Sequence, residues 1–251
     1  MEDPAALVRF YDDAYTRDPV AAAVYARWRA LGAIGKADHV IALCARAGIG
    51  HPINTLEVGC GDGALLCELR CRGFGGTLSG VEITDAAVEI ARMRPQIDSV
   101  ERYDGLHLPA ADGAYDLGVL SHVLEHVPDA VALLAEVARA CRAVLVEVPL
   151  EANLSARRAV KRAHAAEVGH LQRLDREAVR EIVARAGLSV AAELDDPLPL
   201  EVHRFFARTP RAHALAGAKW AVRASLHDLA PSVARRVFTV HHACLCVAPG
   251  G

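Results

Sequence analysis

Glycines and carboxylates gathered at the end of a short apolar run are the first groups in this chain whose types and spacing could do chemistry. Residues 56–66 read LEVGCGDGALL, with Gly59, Gly61 and Gly63 at alternate positions and Glu57 two residues before the first of them. A strand that enters a glycine turn and leaves it as a helix aims backbone N–H groups and a positive helix end at a ligand. Two phosphate cradles are excluded by spacing: there is no G-x-x-x-x-G-K-[ST], and the glycines do not follow G-x-G-x-x-G. Glu57 would repel a pyrophosphate and favour a cationic ligand. A second apolar run ends in GVEIT, placing Glu82 where a carboxylate can accept both hydroxyls of a ribose. The YDG tripeptide offers Asp104 as an acceptor for an exocyclic adenine amine.

A ribose acceptor, an adenine acceptor, a glycine turn and one further carboxylate suit S-adenosylmethionine, which has no phosphate and carries an ammonium and a sulfonium. A second cluster follows the strand YDLGVLS. In SHVLEHV, Ser121 and His122 should lie at the C-terminal edge of the sheet, where ligands bind in such folds. If a helix starts there, His122, Glu125 and His126 stand at i, i+3 and i+4 and share a face. A later histidine, His170 in AEVGHLQRLD, precedes another helix. Three readings stay open. Glu125 and His126 are helix-start and packing groups; or His170 or His122, with His126 nearby, is a general base for a substrate hydroxyl; or His122, Glu125, His126 and His170 hold a metal. Histidine-rich ligation would favour zinc or another transition metal over magnesium. The site is expected to act without a metal.

LEVGCGDG, the acidic GVEIT, YDGLHLPAADGAYDLGVLSHVLEHV and the strand LVEVP, in this order over about residues 53–195, together resemble class I S-adenosylmethionine-dependent methyltransferases. The similarity is greatest to the small-molecule branch related to ubiquinone-biosynthesis and type 11/12 enzymes. The resemblance implies that Glu57, Gly59, Gly61, Glu82 and Asp104 bind the cofactor, with Cys60, Asp62, Gly63, Ile83, Gly105 and Ser121 alongside. Family relatives also place N-terminal aromatic and basic side chains around the methionine carboxylate, which points to Tyr11 and Arg27 among Tyr11, Tyr15, Arg27, Trp28 and Arg29. In some relatives a carboxylate three residues before the Glu-His pair completes a metal site with a later histidine; here His122 stands in its place.

The expected reaction is O-methylation of a small molecule, in secondary metabolism. N-methylation of a small-molecule amine, or a catalytically silent cofactor-binding partner subunit, are the alternatives. The Asn/Asp-Pro-Pro-Tyr motif that cradles planar amines is missing, since the corresponding strand end reads LSHV, and no Cys-Pro nucleophile is present. A nicotinamide-dependent oxidoreductase is disfavoured by the glycine spacing and by the lack of a Tyr-x-x-x-Lys pair.

The elements that must position these groups alternate between strand and helix patterns, which predicts an α/β fold: a Rossmann-like, mostly parallel sheet with an antiparallel last strand and helices on both faces. Helices are expected over 3–30 and 35–48, the latter ending at Gly48. GALLCELRCRG, DAAVEIARMR, HVPDAVALLAEVARAC and LDREAVREIVARAGL read as further helices, with Thr84 or Asp85 and then Asp175 at helix starts. The stretch around ERYDG, before the third strong strand YDLGVLS, is assigned to neither helix nor strand. Residues 198–236 are too long for a hairpin connection. The expected division is therefore an N-terminal helical lid (1–50), a cofactor-binding domain (51–197 and 237–251) and a helical insertion (198–236) as substrate cap. Within the insertion, His203, Arg204, Phe205 and Phe206 either shape a pocket or pack. RRAVKR near 157–162 reads as a solvated helix face, or as a lure for an anionic substrate. His241 and His242 point to opposite faces of the last strand and need no functional role.

Of 251 residues, 53% are hydrophobic, enough for a large core. A net charge of −3 with mixed acids and bases argues against a general nucleic-acid surface. No uncharged 18-residue apolar stretch exists, and the acidic N-terminus lacks signal-peptide order. Seven cysteines without a C-x-x-C pair read as reduced, apolar side chains. These features predict a cytoplasmic protein with a small-molecule partner and no nucleic-acid or membrane partner.

Overall fold

Each apolar run becomes a strand of one sheet in the computed structural model, which describes residues 12, 15 and 19–249. The strands are β1 (Asn54–Val58), β2 (Thr77–Glu82), β3 (Ser99–Arg102), β4 (Tyr115–Ser121), β5 (Cys141–Pro149), β6 (Ser189–Asp196) and β7 (His241–Val247). They lie in the order β3-β2-β1-β4-β5-β7-β6, and every pairing is parallel except the two made by β7. This is the Rossmann-like sheet with an antiparallel last strand that the alternation predicts. Strand order reverses between β1 and β4, so the loops leaving those two strands flank the crevice in which such sheets bind ligands.

The helices are α1 (Pro19–Arg46), α2 (Ala64–Cys71), α3 (Asp85–Arg92), α4 (Ala130–Ala140), α5 (Ala159–Glu167), α6 (Arg176–Arg185), α7 (Leu200–Arg204), α8 (Pro210–Leu229) and α9 (Pro231–Val237). Alternation along the buried strands divides the core in two. Leu117, Leu145 and Leu245 pack with Val40 and Leu43 of α1, Leu66 and Leu69 of α2 and Val88 of α3. Val144, Val146 and Val58 face the other way, onto Leu133 and Val137 of α4 and Val179 and Val183 of α6.

Four expectations need correction. The two N-terminal helices are one continuous helix, α1, which runs through Gly32 and Gly35. Each glycine costs about 1 kcal/mol against alanine. The unbroken buried series Ala33, Ala37, Val40, Leu43 and Cys44 outweighs that cost, and no proline interrupts it. The expected start of that helical region falls outside the described residues. Second, β3 is a short edge strand where no strand was expected. Only Val100 of its four residues is buried, so it offers no alternation to read. Third, Thr84 is the N-cap of α3 but makes no side-chain cap bond; Asp175 does cap α6, accepting from Ala178 N. Fourth, no α-helix begins at SHVLEHV: Leu124–His126 is a single 3-10 turn and α4 starts only at Ala130.

Helices α7 to α9 fill the connection between β6 and β7. Helix α8 has no buried residue and is tied down by Trp220, whose Nε1–H donates to Leu198 O at 3.0 Å. Trp28 of α1 stacks obliquely on Phe205 and Phe206 at 5.1 Å each, joining the N-terminal helix to the insertion. All seven cysteines are free. Among the described residues no helix is long and apolar enough to cross a membrane.

Candidate active site

The glycine loop is built by backbone that only glycine adopts easily. Gly59, Gly61 and Gly63 have φ of +70, +55 and +75°. A Cβ on Gly59 would stand 2.8 Å from a Val123 methyl, and one on Gly61 2.8 Å from the Tyr15 hydroxyl. Gly59 and Cys60 N–H groups donate to Val81 O at 2.8 and 3.1 Å, pulling the loop over the end of β2. Cys60 is buried in a gap left by Gly80. Glu82 binds the loop from below: Oε2 accepts from Gly61 N at 2.9 Å, and Oε1 from Ile83 N and Thr84 N at 2.7 and 3.2 Å. Burial raises its carboxyl against these three donors, which favour the charge.

Glu57 differs. It is 5% exposed, its Oε2 has no hydrogen-bond partner, and burial pushes its carboxyl up to about 8. Asp62, 1% exposed, is consumed by structure: it sits between Arg29 Nε at 3.0 Å and Arg94 at 3.1 Å, and its Oδ1 accepts from Ala64 N. Arg29 also lies over the Tyr15 ring, 4.7 Å from its centroid. The N-terminal pair at the loop is therefore Tyr15 and Arg29. Arg27 is exposed, and Tyr11 lies outside the described residues.

Asp104 is exposed and engaged by its own turn. Oδ1 accepts from Leu106 N and His107 N, while Oδ2 meets His107 Nδ1 at 2.7 Å. The His107 imidazole and these backbone donors hold its carboxyl down at about 2. Next to it, a Cβ on Gly105 (φ +95°) would lie 3.6 Å from Ile83 Cγ2, so Gly105 and Ile83 face each other.

Ser121 is buried at the end of β4, its hydroxyl 3.5 Å from Glu147 Oε2. The next residue, His122, has φ +60°, uncommon for a residue with a side chain. It therefore does not share a helical face with Glu125 and His126. His122 Nε2 instead meets His241 Nδ1 at 3.1 Å, and its Nδ1 lies 3.3 Å from Glu125 Oε1. Glu125 is 2% exposed; burial opposes its charge, yet His122 and His126 hold its carboxyl at about 2. His126 Nδ1 pairs with Gly169 O at 3.2 Å, and its ring stands edge-on to His170 at 4.8 Å. His170 Nδ1 pairs with Glu151 Oε2 at 2.7 Å. Thus Glu125, His126 and His170 converge, while the fourth predicted metal candidate, His122, joins Glu147 and His241 instead.

Sequence reasoning missed Glu147, His39 and Asp196 and set His241 aside. Glu147 was detectable as the single acid inside the apolar strand AVLVEVPL. Its partners come from α1 and β7, far away in sequence: His39 Nδ1 at 3.3 Å from Oε2, and His241 Nδ1 at 3.4 Å from Oε1. His39 Nε2 in turn reaches Asp196 at 3.1 Å.

The residues present fit S-adenosylmethionine. Glu57 keeps a buried oxygen without a donor, as an ammonium would require, and the three glycines hold the loop in left-handed backbone that brings its N–H groups to the end of the sheet. Comparison with known proteins bears on the same region. A methyltransferase-domain family model matches residues 25–193. A ubiquinone biosynthesis O-methyltransferase of Thiobacillus denitrificans is 33% identical over 93 residues, 34% of this chain and 38% of that protein. An ajmaline N-methyltransferase of Rauvolfia serpentina is 30% identical over 94 residues, 35% of this chain and 32% of that protein. The chain thus spans about a third of the length of the curated relatives it matches. A solved S-adenosylmethionine-dependent methyltransferase of Thermotoga maritima superposes with a TM-score of 0.61 over 96% of this chain and 99% of that one, at 14% identity, which shows the shared fold. With the family model covering two thirds of its length and the sheet order and glycine loop agreeing, the chain belongs to the class I S-adenosylmethionine-dependent methyltransferase family.

Proposed function

We propose that this chain methylates a hydroxyl of a small molecule, with His170 as general base. The observation that carries the reading is the His170–Glu151 pair. A carboxylate 2.7 Å from Nδ1 fixes the tautomer and leaves Nε2 as an acceptor for a hydroxyl proton. S-adenosylmethionine supplies the methyl group, made reactive by its sulfonium. The chain's own work is then to hold the acceptor in line and take its proton; positioning alone can be worth about 7–11 kcal/mol. Glu57 is read as the partner of the cofactor's ammonium, Glu82 as the residue that sets the loop for the ribose, and Asp104, Gly105 and Ile83 as the adenine end. Leu171 N donates to Glu125 O at 2.8 Å, which ties the His170 segment to the turn after β4. Trp28, Phe205 and Phe206 offer an apolar wall where α1 and the insertion meet, so the cap is read as the seat of an apolar acceptor. The O-methyltransferase relative supports an oxygen nucleophile, and the N-methyltransferase relative keeps an amine as the second reading.

The test is transfer of labelled methyl to matched panels of hydroxyl and amine acceptors by the wild type, His170→Ala and Glu151→Gln. Transfer to hydroxyls, with kcat reduced about 10²–10⁴-fold in His170→Ala and S-adenosylhomocysteine affinity retained, is expected. Transfer to amines alone, or an undiminished rate in His170→Ala, would overturn it.

A further inference from the structure

We propose that His122, Glu147 and His241 form a zinc-type divalent metal site at the C-terminal edge of the sheet, separate from the Glu125–His126–His170 group. The argument is geometric. Three donor atoms converge: His122 Nε2, His241 Nδ1 and Glu147 Oε1, separated by 3.1, 3.4 and 3.8 Å. Bonds of about 2.0–2.1 Å to nitrogen and carboxylate oxygen make the edge of a coordination tetrahedron about 3.3–3.4 Å. The three atoms are thus spaced as three of its corners, within a few tenths of an ångström. Two imidazoles and one carboxylate are a recognised zinc set, which leaves the fourth corner for water or an oxygen ligand.

Several of the surrounding groups are of the kind that orient metal ligands, and the Lys36 ammonium lies within electrostatic reach of both imidazoles. His122 presents Nε2 while its Nδ1 faces Glu125 Oε1 at 3.3 Å, a carboxylate–histidine arrangement that sets the tautomer. Glu147 presents Oε1 while its Oε2 faces His39 Nδ1 at 3.3 Å and Ser121 Oγ at 3.5 Å. The backbone is bent to the same end: His122 adopts φ +60°, uncommon for a residue with a side chain, and is pinned there by its N–H donating to Glu147 O at 2.8 Å. Glu147 is 1% exposed, whereas the His122 and His241 side chains are 24% and 15% exposed, so an ion can reach the imidazoles from solvent. Nitrogen-rich ligation selects zinc or a neighbouring transition metal over magnesium. The site stands next to the glycine loop, since Val123, the residue after His122, is the side chain that packs against Gly59.

The experiment uses the full chain, stripped with chelator and titrated with Zn²⁺ by calorimetry and with Co²⁺ by visible absorption. S-adenosylhomocysteine binding is measured on every variant as a separate check of folding and of the cofactor site. One equivalent of Zn²⁺, a low-coordinate cobalt spectrum and no competition from Mg²⁺ are expected. Glu147→Gln and His122→Asn should each weaken Zn²⁺ binding about a hundredfold or more, and Glu125→Gln about tenfold. Asparagine is chosen because it tolerates the positive φ at position 122. His170→Ala should leave Zn²⁺ binding unchanged. Absence of stoichiometric binding in a chain that still binds S-adenosylhomocysteine would overturn the proposal. So would binding lost in His170→Ala but retained in Glu147→Gln and His122→Asn.

Discussion

Glu57 holds a carboxyl where its charge is costly, with one oxygen buried and unpartnered. Burial raises it to about 8, above its unfolded value near 4.3, so at neutral pH the folded chain holds a proton there. The sign follows from linkage: this group opposes folding increasingly as pH rises from its unfolded value, and fully above about 8. A cationic ligand beside Glu57 reverses the preference and drives the proton off. Binding of S-adenosylhomocysteine at pH 7 is therefore expected to release close to one proton. Calorimetry in two buffers of different ionisation enthalpy reads this directly. Glu57→Gln should abolish the release and weaken binding, whereas equal heats in both buffers for the wild type would place the ammonium elsewhere. Asp62 shows how similar residues part company: its carboxylate is paired with Arg29 and Arg94, whereas Glu57 keeps one oxygen without a donor and is favoured in its charged form by the field of Lys36.

At the scale of elements, the loop depends on a glycine in the neighbouring strand, Gly80 opposite Glu57, as much as on its own three. Gly80 in the middle of β2 leaves the gap that Cys60 fills; a Cβ there would lie 2.6 Å from Cys60 Sγ and 2.9 Å from its Cβ. Gly80→Ala is expected to lose about 1–3 kcal/mol through overpacking, a fall in Tm of several degrees, and to weaken S-adenosylhomocysteine binding by displacing the loop. Thermal unfolding of Gly80→Ala, Cys60→Ala and the double variant forms a cycle: the smaller side chain at 60 should recover part of the loss. Additive losses would show that the two side chains do not compete for the same space. The element pattern itself was readable where periodicity was strong, as in β4, β5, α4 and α6. It failed at β3, which buries one residue of four, and at SHVLEHV, where helix-like spacing belongs to a 3-10 turn preceded by a left-handed histidine.

At the scale of the whole molecule, the N-terminal helix and the insertion before the last strand meet through Trp28, Phe205 and Phe206. The sheet and its two cores are complete without that contact. Trp28→Ala should therefore lower Tm by only a few degrees and keep S-adenosylhomocysteine affinity within about twofold, because half-exposed contacts contribute less than core ones. Limited proteolysis around residues 200–210 should accelerate several-fold, and the acceptor KM should rise. A collapse of cofactor binding would show instead that α1 holds the glycine loop through this cluster as well as through Arg29.

What the sequence by itself determined is the set of things carried by neighbours along the chain. These are the alternation of strand and helix, the glycine turn with Glu57, the acid at the end of β2, the Asp175 cap and the helical stretch between the last two strands. Each rests on local spacing, for which chain order is sufficient. What only the tertiary structure decided is which charges meet. Glu147 draws His39 from α1, His122 from the end of β4 and His241 from β7, because the antiparallel last strand is laid between β5 and β6 and α1 crosses above them. The histidine spacing along the sequence pointed to one four-residue cluster. The positive φ at His122 turns it toward the sheet and divides that cluster in two.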